Sequence, residues 1–485
     1  YSLMGGKDNR DVQVLDDQST TAIRGSYSLT WGQTNKTWAK YSITTGVNNK
    51  AGGDYSAVFG ESNENGADQS DTAKWNLLSG QFNKALNSQH SILVGELNTV
   101  GEITPSSSDS GKYCGVFGQE NTVKGKWSYA FGYKNDIRQE VKASMVIGES
   151  NKITGANVYS LAVGKSNTIN VAYYSTVFGK GNTVSQQYSN VYGSLNVATG
   201  EYVTLFGSGN SASGYQDFLV GKNNRSTVPN IIGSNEYGRN VSFGVDNTHK
   251  SVHGFTMGVG NTISSAASLA EVHGKYGKAI NPYEVVHSAG RFNSSNTGKD
   301  QVSEIILMGA STAEDWVSLG IPGTSTNFAS PWEGMAGWIP PNGTRGYLII
   351  NVSHIFNDLT ANDILPVSRR HNVLTYVDTF QCGPGGTVTL GNFNGVDTHS
   401  PEGALHQTKS SKSTEFLRDF DGSPIDNENT GFHCRPGNPG ALDSNGNLAP
   451  AAVDNQIRFF INLDSTHDQP SRAIAHLKII MCEDF

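Results

Sequence analysis

Charge is scarce in this sequence. Asp, Glu, Lys and Arg make up 16% of residues, where ordinary soluble domains hold about a quarter. The net charge is −8, so no basic surface is expected for nucleic acid or an anionic membrane, and neither is expected as a partner. No apolar run approaches the roughly 20 residues that span a bilayer, and no signal-peptide pattern follows Tyr1, so no membrane insertion is expected. Cysteine is rare too. Cys114, Cys382, Cys434 and Cys482 stand far apart and read as small buried hydrophobes, with a Cys382–Cys434 bridge left open by the spacing. Without Cys-x-x-Cys there is no zinc signature. Gly-x-Ser-x-Gly, the phosphate loop and the dinucleotide fingerprint are also missing, so neither an enzyme nor a cofactor is expected.

What is abundant is glycine, with 56 copies, and it is placed periodically. The phrase Tyr174-Ser175-Thr176-Val177-Phe178-Gly179-Lys180-Gly181-Asn182-Thr183-Val184 recurs about every 14 to 16 residues from 27 to 293. Its glycine returns at Gly60, Gly118, Gly148 and Gly179 among many others, and an asparagine follows three residues later at Asn63, Asn121, Asn151 and Asn182. A fixed period marks a repeat architecture. The β-branched and aromatic run before each glycine predicts a short strand. Gly-x-x-Asn predicts a tight corner, because Gly and Asn tolerate positive φ. Each unit cannot bury its apolar face alone, but stacked units can. At a strand spacing of about 4.8 Å, eighteen units predict a rod on the order of 80 Å long.

Two faces of the predicted strand are apolar. The residue before the glycine is Trp31, Phe59, Val94, Phe117, Phe131, Ile147, Val163, Phe178, Tyr192 or Phe206, and it is assigned to the interior of each unit. Alternation then turns the preceding residue outward: Val58, Leu78, Leu93, Val116, Ala130, Val146, Ala162, Val177, Val191, Leu205, Leu219, Ile231. So long an apolar stripe exceeds what monomers expose, which predicts burial between chains.

The chain divides into four segments. Residues 1–26 lack the phrase and read as an N-terminal lead-in, 27–264 form the repeat shaft, 265–300 hold degenerate repeats and a junction, and 301–485 form another domain. Insertions between Gly60 and Gly80 and between Gly95 and Gly118 predict loops on one side. In the decaying repeats, His253, His273 and His287 are expected near one another, as interface histidines in preference to a metal site. Beyond 301, runs such as Glu304–Met308, Gly346–Val352, Asn372–Val377, Gln456–Asn462 and Ala473–Ile480 predict an antiparallel sandwich. A long polar loop spans about 391 to 455.

The phrase Ser-x-Ala-Val-Gly followed by Asn-Thr resembles the repeats in the heads of trimeric autotransporter adhesins and in related phage tail fibres, over roughly half of the chain. That resemblance implies an all-β homotrimer of parallel β-rolls (solenoids), left-handed, each with one face inward and one on the threefold axis. The junction His287-Ser288-Ala289-Gly290-Arg291-Phe292, with Gly309-Ala310-Ser311-Thr312, Trp316-Val317-Ser318-Leu319 and Ile339-Pro340-Pro341-Asn342-Gly343-Thr344, resembles the distal end of phage tail fibres. It implies a C-terminal β-sandwich receptor-binding tip. Together these imply a non-catalytic, extracellular virion tail fibre for host attachment. Its partners would be a host surface glycan or outer-membrane protein and an upstream tail or baseplate protein. The alternatives are a cell-surface trimeric adhesin, which would need a membrane anchor, and a capsule or polysaccharide depolymerase.

Sugar binding needs exposed aromatic faces beside hydrogen-bonding side chains. Trp332, Phe393, Phe420 and Phe432 lie in loop-like sequence and are the candidates, whereas Trp338 and Tyr347 are expected in the core. The densest acidic cluster is Asp419, Asp421, Asp426 and Glu428. It has the residue types of a calcium site or a glycosidase pair, but its Gly/Pro-rich setting favours solvated turn formers. No metal or catalytic residue is assigned.

Overall fold

In a computed structural model of the chain, the residues described are 2–11, 27–66, 73–102, 111–138, 141–155, 159–170, 172–228, 238–290, 300–311, 316–319, 338, 340, 343–356, 371–382, 388–390, 431–436, 457–462 and 471–483. The regular structure among them is all β, with no helix. The chain forms two compact units, Tyr1–Asn223 and Asn224–Phe485.

The first unit is a parallel β-solenoid. Each turn lays down a five-residue wide strand and a shorter narrow strand, as in Leu161–Lys165 followed by Thr168–Asn170, then Thr176–Lys180 followed by Thr183–Val184. Turns stack in register, so Ala162 pairs with Val177, Gly164 with Gly179 and Ile169 with Val184. The segment expected as a lead-in contributes a turn as well. Leu3–Lys7 pairs with Leu29–Gln33 and places Gly6 beside Gly32.

The two faces of the wide strand are the reverse of the sequence expectation. Val58, Leu78, Leu93, Val116, Ala130, Val146, Ala162, Val177, Val191, Leu205 and Leu219 are fully buried in the chain's own core, against narrow-strand residues such as Ile137, Ile153, Ile169, Val184 and Ala198. Ile231 lies outside the described residues. The residue before the glycine points outward instead, and Trp31 is 57% exposed. The reason is width. Strands this close together leave space for Val, Ala or Leu between the sheets but not for a column of Phe and Trp.

Glycine and asparagine divide the corner between them. Each punctuating glycine sits at a φ that L side chains avoid (Gly164 at 118°), and a Cβ on Gly164 would stand 2.0 Å from the Gly179 carbonyl oxygen. The second positive φ falls two residues later, at Ser62, Glu120, Ser150 and Gly181, not at the asparagine. Asn63, Asn121, Asn151 and Asn182 are instead wholly buried and hydrogen-bonded to their copies in adjacent turns. Asn167 shows the pattern. Its backbone N–H and Nδ2 donate to Asn151 Oδ1, Nδ2 also donates to the carbonyls of Val163 and Gly179, and its Oδ1 accepts from Asn182. Asn167→Ala would strip partners from several buried groups at once. We expect a loss of about 2 to 4 kcal/mol in denaturant unfolding; an unchanged midpoint would refute the load assigned to the ladder.

The second unit opens with four more in-register wide strands, Val241–Val245, Phe255–Val259, Glu271–Lys275 and Val285–Ser288. The degenerate repeats therefore still fold as turns. Val285–Ser288 then pairs antiparallel with Gln301–Ser311. From there the sheet runs through Ser471–Glu483, Thr344–Phe356, His371–Cys382 and Val388–Leu390, all antiparallel. A separate antiparallel sheet joins Trp316–Leu319, Ile457–Asn462 and Gly431–Pro436. Trp338 is buried edge-on against Phe380, with ring centroids 5.0 Å apart. Tyr347, expected in the core, is exposed, because it alternates with buried Leu348. Cys114 and Cys382 are buried free thiols, so the Cys382–Cys434 bridge is not formed. Burial pushes the Cys114 thiol up to about 12.

His249 replaces the usual aliphatic residue of a narrow strand and is fully buried. One ring nitrogen meets Thr256 Oγ1 at 2.9 Å, and Nδ1 has no partner among the described residues. Desolvation drives its pKa down from 6.5 to about 3. Between those values the unfolded chain takes up a proton that the folded chain refuses, so stability falls as pH drops from about 6.5 toward 3. The expected cost is on the order of 2 kcal/mol at pH 5. Denaturant unfolding of wild type against His249→Val, at pH 7 and pH 5, should show a steeper acid loss in wild type. Parallel curves would contradict it.

Candidate functional site

Two exposed features of the first unit are built from residues that soluble monomers usually hide. The first is the outer face of the wide sheet. It presents the residue before each glycine together with the residue two earlier, as in Ile92 with Val94, Tyr129 with Phe131 and Met145 with Ile147. Ile92, Val94, Tyr129, Ile147 and Phe206 are exposed, and their neighbours along the face are half-buried. Where aromatics meet they stack in register, Phe117 on Phe131 at 5.1 Å and Phe178 on Tyr192 at 5.4 Å. One border of this face is polar, formed by residues that follow the glycine, such as Gln81 bonded to Glu61 and Lys165 paired with Glu149 at 2.8 Å.

The second feature stands five residues before each glycine and was not anticipated from the sequence. Tyr27, Tyr41, Tyr55, Trp75, His90, Tyr113 and Trp127 form one continuous ring stack, with centroids 4.6 to 6.3 Å apart and planes 6° to 27° from parallel. Tyr159, Tyr174, Tyr188 and Tyr202 form a second. All are exposed. Each of these residues holds a positive φ, 53° to 62°, a region that bulky side chains rarely enter. Asn or Gly would occupy it with less strain, so the retained rings point to a use for the stack. The signal was legible in the sequence, as an aromatic five residues before glycine on turn after turn.

Of the predicted site residues, Trp332, Phe393 and Phe420 lie outside the described residues, as do Asp419, Asp421, Asp426 and Glu428 and the cores of both insertions. Phe432 is in the strand Gly431–Pro436, opposite Ile461, and not in a loop. A β-branched or aromatic residue flanked by Gly and Pro is ambiguous between loop and edge strand. Two of the three histidines come together: His273 and His287 stack at 5.3 Å. His273 Nε2 also meets Glu271 at 3.3 Å. His253 belongs to the positive-φ row instead. Among the described residues no group of three or more His, Cys, Asp or Glu side chains is placed to hold a metal. His273 and His287 line a pocket with Asp300, Gln301, Ile480 and Met481. No protein-family model and no curated protein matches this chain.

The stack carries a stability prediction. Tyr174→Leu keeps the strained φ and loses two ring contacts, so it should cost about 1 to 2 kcal/mol. Tyr174→Asn loses the same contacts but relieves the strain, and should cost less. The order of the two denaturant midpoints decides it, and Leu at or above Asn would remove the argument from strain.

Proposed function

We propose that this chain is a homotrimeric phage tail fibre that attaches a virion to a host surface glycan or outer-membrane protein without chemistry. The solenoid is its shaft, residues 301–485 form a β-sandwich receptor-binding tip, and an upstream tail or baseplate protein holds the other end. The observation that carries this reading is the outer face of the wide sheet. It presents Ile92 with Val94, Tyr129 with Phe131, Met145 with Ile147 and Leu161 with Val163 on one side of the first unit, the kind of apolar surface that monomers rarely leave in water. Burying it against identical copies supplies the hydrophobic gain. A closed symmetric assembly does so without leaving a sticky surface for fibres of misassembled chains. The resemblance of the repeats to adhesin heads and phage fibres supplies the number three, and the resemblance of the junction and the C-terminal strands to fibre ends supplies the receptor role. Three copies of a modest site on one stalk raise effective concentration, so avidity does not demand a deep pocket.

Light scattering of the purified chain should give three times the 51.9 kDa of one copy. Phe131→Asp together with Val163→Asp adds charge to the outer face only, and should dissociate the assembly and abolish adsorption to host cells. A monomeric wild-type chain would end the proposal.

A further inference from the structure

The outer wide face of the second unit changes character once. We propose that the change is a register lock between copies of this chain, a band of ionisable side chains that meets the same band on neighbouring copies and holds them at one height. The inference rests on the trimer reading and adds to it what fixes the copies along their axis. Cross-strand partners place the band. One row of the face runs Phe255, Glu271, Val285, Glu304, Lys478, Ile349 over successive strands, and the row beside it runs Met257, His273, His287, Val302, Ile480, Tyr347. His476, opposite Ile306, widens the band on its other side. The alternating residues Val272, Val286, Ile305, Leu477 and Ile479 are buried. Phe243 and Met257 stand before the band, Tyr347 and Ile480 after it, and all four are exposed. Within one copy the band is already paired. Glu271 meets His273 at 3.3 Å, the His273 and His287 rings stack at 5.3 Å, and Glu304 meets His476 at 3.4 Å and Lys478 at 3.7 Å.

Repetition makes such a lock necessary. Val241 and Phe243 are followed in register by Phe255 and Met257, so a copy slid by one strand, about 4.8 Å, would still bury apolar against apolar. Hydrophobic burial joins the copies without choosing their height. The band removes that degeneracy. After a slip of one strand, Glu271 and His273 of one copy would face Phe255 and Met257 of the next, and would lose water without gaining a partner. In register, the pairing made inside each copy is repeated between copies. Around a threefold axis every interface is heterologous, one edge of a copy against the other edge of the next. The row carrying Glu271 and Glu304 then faces the row carrying His273 and His287. Those histidines border a depression lined by Ser288, Ala289, Val302 and Ile480, which leaves room for the facing side chains. A polar position in an apolar seam sets the register of coiled coils on the same terms.

Disulfide trapping in the full chain reads the register. Phe255→Cys with Met257→Cys puts thiols at one height on the facing rows. Phe255→Cys with Phe243→Cys staggers them by one strand, beyond disulfide reach when the copies are level. Each chain is oxidised with copper–phenanthroline, with the wild type as control. With the native band, the level pair should run as covalent trimers on a non-reducing gel, and the staggered pair at least tenfold less. Glu271→Val, His273→Val, His287→Val, Glu304→Val, His476→Val and Lys478→Val together should leave the mass at three copies and let both pairs crosslink to similar extents. The smaller set Glu271→Val, His273→Val and His287→Val should move the ratio the same way, and serves if the full set does not fold. A level preference that survives the substitutions would overturn the lock and leave the trimer standing. So would equal trapping of the two pairs, or of neither, with the native band. A monomeric wild-type chain would remove the trimer reading and the lock together.

Discussion

The column of buried asparagines is the constraint on which the solenoid depends. A side-chain amide inside a protein must satisfy its donors and its acceptor or lose the free energy of leaving water. Here each amide does so through its copies above and below and through the carbonyl of the next turn's glycine, as Asn121 does with Asn98, Asn135 and Gly132. That arrangement works only if every turn is in register with the next. A one-residue slip would leave donors facing donors for the length of the column. Register, which hydrophobic patterning alone leaves open when both faces are apolar, is therefore set by hydrogen bonding. The glycine follows from the same contact, because the carbonyl that accepts the amide occupies the space a Cβ would need.

A polar column inside a narrow cross-section has consequences outside it. The remaining interior is built mainly from Val, Ala, Leu, Ile and small polar residues, with His249 and Glu284 as larger exceptions in the second unit, and where the aliphatic residues lapse they are replaced by a hydroxyl chain such as Thr30–Thr37–Thr44. Phe, Tyr and Trp stay out of it, and they appear on the exterior in two rows. One is the outer face of the wide sheet, the other the left-handed corner of Tyr, Trp and His. In-register stacking puts like beside like in both, so what would be scattered surface aromatics become continuous stacks at the strand repeat. Backbone strain at the corner is compensated by ring contacts on both sides. Ala143 is informative because it keeps the strained backbone without the ring that stabilises it.

The repeat, the strand positions and the alternation of faces were legible from the sequence because period and β-propensity report on local geometry. Which face lies inside was not legible. Alternation divides residues into two sets and says nothing about the width between sheets, and both sets here are apolar. Large residues were assigned to the interior on the habit that size follows burial, and the 0% exposure of Ala162 beneath an outward Val163 shows the habit failing. The asparagine was recognised but given the wrong task, since its tolerance of positive φ is a property of the isolated residue and its ladder exists only between turns. The first turn was missed for a simpler reason: Gly6-Lys7-Asp8-Asn9 keeps the glycine-to-asparagine spacing and follows Leu3-Met4, but Gly5 stands where the other turns carry a larger residue before the glycine, and Asn9 still accepts from Asn35. Beyond residue 300 the long strands were legible, while Phe432, read as part of a loop, lies in the strand Gly431–Pro436 because nothing periodic marks so short an element.

How the parallel ladder ends in the second unit follows from the same chemistry. A stack of identical turns has no intrinsic last member, and its open edge would template another chain. The column weakens stepwise. Asn261 finds Gly277 where the next asparagine would stand, and its Oδ1 accepts a backbone N–H alone. Ser288 then takes the place of the punctuating glycine and bonds the carbonyls of Lys275 and Asp300. Gln301 completes the substitution. Its side-chain amide accepts from Lys278 N–H and donates to Lys278 C=O, both at 2.8 Å, which reproduces with one side chain the bonds a further narrow strand would make. The wide strand is closed at the same level by Gln301–Ser311 running antiparallel to it. A reversal of direction removes the identity between successive strands, and with it the capacity to add another turn. The residue that ends the narrow ladder is thus the first residue of the strand that ends the wide one.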